Sequence, residues 1–147
     1  MSSFKAYCPD QAKIDRGVKL LLTDEVGNIS KDFLMVRWYW HDTVRAALDN
    51  LKREGRERLV QIKPEMSAKA KADADAGNKA IETELIREGI ASQIVGWSFD
   101  EEASKENVIE FLKQRPDVAN RVDTTAAETK LFFSRKGRSS SAGAKTK

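Results

Sequence analysis

A chain of 147 residues can bury one modest core, which excludes two full domains. Apolar residues make up 40% and charged residues 33%, the balance of a soluble, largely helical protein rather than a membrane or low-complexity one. The formal charge is +3, but five of the 26 Lys and Arg stand in residues 134–147, leaving 21 against 23 acids and a body near −2, which excludes a folded basic face.

Residues 1–16 are mixed and broken by Pro9, the composition of an irregular N-terminal arm. Val18 to Leu22 is a β-capable run. Asp24 to Asn28 contains Gly27-Asn28, a reversal, and Phe33 to Trp38 is a second β-capable run. Two such runs around a polar turn predict a hairpin. A lone hairpin is marginal in water, so it needs a helix or a partner against it.

Asp42 is placed to cap the next helix. Val44, Leu48, Leu51 and Leu59, with Ala47 beside them, form a stripe expected to cover one hairpin face. Gly55 weakens that helix, and Pro64 breaks the chain beyond it. Residues 68–80 alternate Ala with Lys and Asp. Alternation suggests a strand, but Ala and Lys are helix formers and Asp is a poor strand residue, so the segment predicts a weakly anchored helix. Gly77-Asn78 is a candidate kink. Leu85, Ile90, Ile94 and Trp97 continue a helical stripe to Gly96, a candidate terminator.

Ser104 begins a short helix, with Asn107 in the position of a weak capping box and Val108, Phe111 and Leu112 on its apolar side. Pro116 ends that helix or opens the next. Val118, Val122, Ala126, Thr129 and Phe133 follow a helical period. Trp97, Phe99, Phe111, Leu112 and Phe133 are expected to form a small C-terminal core. From Ser134 the apolar pattern stops, and Gly137, Ser139 to Ser141 and Gly143 predict a disordered basic tail. The fold class is α+β and mainly helical: an N-terminal β-hairpin, then four or five helices. One domain spans residues 17–133, and residues 134–147 form the tail.

Catalytic chemistry has little to stand on. His41-Asp42 could pair an imidazole with a carboxylate, but adjacent residues need not face each other and no activated nucleophile accompanies them. The plainer reading is a cap preceded by a surface histidine. Cys8 is the only cysteine, so no internal disulfide forms and a reducing compartment fits. One Cys and one His cannot supply four soft metal ligands, and no Gly-rich phosphate loop is present. No cofactor is expected. No apolar run approaches the ~18–20 residues of a bilayer span, and the N-terminus lacks a signal-peptide pattern. The basic tail offers weak, salt-sensitive attraction to acidic surfaces but no aromatic residue for stacking, so specific nucleic-acid binding is not expected.

Trp38-Tyr39-Trp40 is the other notable cluster. Strand alternation would send Trp38 and Trp40 one way and Tyr39 the other, giving one face to the core and one to a partner. Packing of a small core is the alternative use of the same residues. The candidate partner-binding residues are Trp38, Tyr39, Trp40, Trp97, Phe99, Phe111 and Phe133.

The order of these segments resembles the tail assembly chaperones of long-tailed bacteriophages of the siphophage type. The matching features are Val18 to Asn28, Phe33 to Trp38, a helix from near Asp42, and a long helical segment leading to Gly96-Trp97-Ser98-Phe99. Ser104 to Val108, Phe111-Leu112, Pro116-Asp117-Val118 and Phe132-Phe133 complete the match over roughly residues 15–133. Trp38-Tyr39-Trp40 departs from the family's more polar, Gly-containing junction, and the basic tail is an addition.

The resemblance implies a non-enzymatic protein without cofactor. It would coat the tape measure protein, keep it soluble and help recruit the major tail tube protein. It would act in the host cytoplasm, with self-association possible, and leave before the tail matures. A structural protein of the tail or head–tail joint is the main rival reading, and a nucleic-acid-associated accessory protein is a third.

Overall fold

The computed structural model describes residues 3–133. The hairpin is present: β1 (Val18–Thr23) pairs antiparallel with β2 (Ile29–Val36), Val18 opposite Val36 and Leu20 opposite Leu34. Asp24 makes the reversal, its Oδ1 accepting from the amides of Val26 and Asn28, while Gly27 takes φ +88°. Gly17 starts the hairpin at φ +82°, where a Cβ would lie 2.6 Å from the Val36 carbonyl oxygen. Only glycine fits that approach.

A third strand corrects the helical reading of Ile94 and Trp97. β3 (Ile94–Trp97) pairs antiparallel with β2, giving the order β1-β2-β3. The preceding helix stops at Ala91. There the Ser92 hydroxyl donates to Gly89 O at 2.6 Å and the Gln93 amide donates to Ile90 O. The β-branched pair Ile94-Val95 then favours extended backbone, and β2 supplies an edge to pair with. β3 carries one extra residue, a bulge beside Val95.

The inner face of the sheet holds Leu20, Leu22, Leu34, Val36 and Ile94. Helices α4 (Lys105–Gln114) and α5 (Pro116–Ala127) cover it with Val108, Leu112, Val118, Val122 and Ala126, at the spacing of one helix face. Ser104 caps α4 by accepting from the Asn107 amide at 3.2 Å. Asn107 turns its own side chain to Glu102 O, so the reciprocal box does not close. Pro116 opens α5, where a missing amide costs nothing.

Helix α2 (Asp42–Arg58) packs mainly on α3 (Ala68–Ala91), which in turn rests on α4 and α5. The expected cover of the hairpin by α2 is therefore replaced by α4 and α5, and Leu59 lies past the end of α2. Two glycines stand where α2 and α3 cross. A Cβ on Gly89 would lie 2.9 Å from Leu48 Cδ2, and one on Gly55 would lie 3.2 Å from Leu85 Cδ1. Gly55 is thus the surface on which α3 rests. The Ala-rich segment is helical, with Ser67 accepting from the Ala70 amide. It runs through Gly77-Asn78 without a break. Asn78 instead clasps Val60, accepting from its amide and donating to its carbonyl, both at 2.8 Å.

The N-terminal segment is ordered rather than irregular. A 3-10 turn at Phe4–Tyr7 precedes α1 (Gln11–Arg16), which Asp10 caps by accepting from the Ala12 amide. The Asp10 amide donates to Phe132 O and Lys13 Nζ donates to Phe133 O, so the two ends of the described chain are tied together. Phe132, not Phe133, is the buried member of that pair. After Ala127 the chain tightens into a 3-10 turn at Thr129–Phe132, which advances the phase by one residue. The tail expected over 134–147 lies outside the described residues.

Candidate partner-binding groove

β2 ends at Val36, so strand alternation does not govern Trp38-Tyr39-Trp40. The segment is a turn, closed by the His41 amide donating to Trp38 O at 3.0 Å. His41 is itself the cap of α2: its Nδ1 accepts from the Thr43 amide at 3.0 Å. Asp42, read as the cap, is the first helical residue, where its charge complements the helix dipole. The cap takes up Nδ1, one of the two imidazole nitrogens.

The three aromatic side chains take separate roles. Trp38 stands 6.1 Å, ring centre to ring centre, from the buried Phe132. Tyr39 and Trp40 meet edge to face at 5.3 Å. Arg45, one turn into α2, places its guanidinium 4.1 Å from the Tyr39 ring centre and 5.0 Å from that of Trp40. Its Nε also donates to Tyr39 O. The Tyr39 amide donates to Ala126 O, fixing the turn to α5. Trp40 remains 57% exposed at the end of this built lip.

Beside the lip, α2 and α3 enclose an open groove of about 390 Å³. Leu48 and Leu51 form one wall, Leu85, Ile86 and Ile90 the other, with Gly89 in its floor. Ile86, near the C-terminal end of α3, is 63% exposed among the described residues. Tyr39, Arg45, Gln93 and Asp123 close one end. Gln93 is buried, its Nε2 donating to Asp123 Oδ1 at 3.2 Å. At the same end of α3, burial lowers the pKa of Arg37, whose guanidinium donates to Ser92 O. Toward the far end of α2, Arg58 bridges Glu54 and Glu84. These hydrogen bonds raise the Arg58 pKa and lower that of Glu84.

Trp97, Phe99 and Phe111 form a separate triad at the end of the core, three edge-on contacts with centres 5.1, 5.9 and 5.3 Å apart. All three are half-buried, and Trp97 Nε1 donates to Glu101 O. Phe133 is half-buried and outside this triad, so the expected C-terminal core holds without it. Of the seven sequence candidates, Tyr39 lines the groove and Trp40 adjoins it through Arg45. Arg45, Ile86, Gly89, Gln93 and Asp123 are groove residues that sequence reasoning missed. Gly89 three residues after Ile86 was the available signal: a close crossing next to an apolar residue off the main stripe.

The groove offers apolar walls and a few polar groups at its ends, the lining common to binding sites. Among the described residues no three His, Cys, Asp or Glu side chains gather as metal ligands would. No helix among them is long and apolar enough to cross a membrane. No protein-family model, curated protein or solved structure matches this chain.

Proposed function

We infer that this protein is a non-enzymatic assembly chaperone that holds amphipathic helices of a longer partner. The observation that carries the reading is the uncovered apolar groove between α2 and α3, ended by the Tyr39–Arg45–Trp40 lip. An amphipathic helix laid in such a groove anchors residues spaced three and four apart. Its stripe would complete a three-helix packing with Leu48, Leu51 and Ile86. The resemblance over residues 15–133 gives the partner: the tape measure protein of a long-tailed bacteriophage, whose long helices need cover in the host cytoplasm before assembly. One groove per chaperone is weak, but many chaperones along one long partner act together through avidity. Release follows when tail tube subunits displace them.

Co-expression tests the reading. The protein should raise the soluble fraction of the tape measure protein and co-purify with it. Ile86→Glu, at an exposed position, should abolish both effects while leaving the fold intact. Unchanged partner solubility with no co-purification removes the chaperone reading. Stoichiometric retention in purified virions replaces it with a structural role in the tail or head–tail joint.

A further inference from the structure

The sheet has two faces, and the helices cover one. Alternation turns Leu21, Ile29, Phe33 and Met35 away from the core that Leu20, Leu22, Leu34 and Val36 enter. Leu21 stands opposite Phe33 and Met35 opposite Gly96, so the apolar strip crosses all three strands. Leu21 is 41% exposed, Ile29 72% and the neighbouring Val95 37%. A solvated sheet face ordinarily carries polar residues. Here the charges are Lys19, on the same alternation, and the exposed Lys31, where the β1–β2 register shifts; neither forms a salt bridge among the described residues. Lys19 Nζ lies 4.4 Å from the Phe33 ring centre.

We propose that this outer face docks an amphipathic helix of another protein whose apolar stripe is flanked by acidic residues. Charge complementarity selects the occupant: Lys19 and Lys31 rim the strip, and acids flanking a helix meet them. A second copy of this chain is disfavoured, because two-fold packing of identical faces sets these lysines against each other. Addition of a strand at the edges is blocked. Arg121 and Arg115 donate to the β1 carbonyls of Leu21 and Thr23, and the bulge deforms β3. The dimensions suit one helix: three strands spaced ~4.8 Å make a platform ~10 Å wide, the diameter of a helix. Gly96 adds a furrow, since a Cβ there would meet nothing within 4 Å.

The site is independent of the groove between α2 and α3, and the test keeps them apart. Two synthetic helical peptides share one Leu/Ile stripe, one flanked by Glu and the other by Lys. Titrated against the full chain by fluorescence anisotropy, the Glu-flanked peptide should bind about tenfold tighter, falling with added salt. The double variant Lys19→Glu, Lys31→Glu should invert the preference, and Met35→Gln should weaken binding of both peptides. The groove variant Ile86→Glu should leave the preference unchanged. Equal binding of the two peptides by the wild type, or a preference that the lysine reversal leaves intact, overturns the proposal. A dimer in sedimentation that Met35→Gln dissolves replaces it with self-association.

Discussion

The sheet with α4 and α5, and the pair α2 and α3, use similar apolar residues to opposite ends. In the first region Leu34, Val36, Val118, Val122 and Ala126 are wholly buried. In the second, Val44 is the one apolar side chain of α2 that is fully buried, while Leu48, Leu51, Leu85 and Ile90 stay half-exposed around glycine contacts. The first region fixes the fold. The second leaves apolar surface exposed without opening the core. A helix pair held by glycines and a few polar clasps can tolerate a vacant groove, whereas a sheet under two helices cannot tolerate a vacant core.

The largest test of this division lies at the end of the described chain. Phe132→Ala should cost about 3–5 kcal/mol in denaturant unfolding, because its ring is fully enclosed. Phe133→Ala should cost under ~1 kcal/mol. Equal losses would extend the buried core past Phe132 and break the comparison.

Glycines give the next contrast. Gly17→Ala forces a side chain into positive φ and against the Val36 backbone, so it should destabilise by about 1–3 kcal/mol. Gly89→Ala meets only the far ends of the flexible Leu48 and Leu51 side chains, and the helix gains ~1 kcal/mol of propensity, so its melting temperature should stay near that of the wild type. A larger loss at Gly89 than at Gly17 would show the helix pair to be the more rigid region.

His41→Ala removes the cap of α2 and should cost about 1 kcal/mol, with His41→Ser recovering most of it. Hydrogen exchange should locate the loss in α2 and α3, leaving β2 protected.

The smallest effect is electrostatic. The hydrogen bond from Arg115, outweighing the opposing effect of burial, lowers the Asp117 pKa from 3.8 to about 2. A depressed carboxylate contributes stability above its ordinary pKa and loses it as pH falls through the folded value. Between pH ~4 and ~2 the wild type should therefore lose more stability than Asp117→Asn, by less than ~1 kcal/mol because the pair is exposed. In Arg115→Gln, the Asp117 carboxyl resonance should titrate nearer the ordinary carboxylate range.

Much of the fold was legible because its signals are local. The Leu-rich run of β1, the turn at Gly27-Asn28, Ser104 before α4 and Pro116 at the head of α5 each act within a few residues. The helical reading of the Ala-rich segment held for the same reason. What sequence missed depends on partners far along the chain. Ile94 and Trp97 continue the period of Leu85 and Ile90, so only the edge offered by β2 makes them a strand. His41 is an uncommon cap, and preference pointed to Asp42. The phase advance at Thr129–Phe132 is invisible to a helical wheel that assumes one period throughout. The groove was illegible because it arises where Gly55 and Gly89 let two helices meet, while Tyr39 arrives from the turn before α2 and Arg45 from its first turn.

The clasp between Asn78 and Val60 has a topological consequence. It brings the start and finish of residues 61–77 to one point, so the chain makes a closed detour there and returns to where it left. The length of such a detour is a free variable: lengthening it adds closure entropy only as the logarithm of its size. An inserted peptide or reporter placed near Glu65 would hang from the molecule like a pendant, with both of its attachment points already held by a single asparagine.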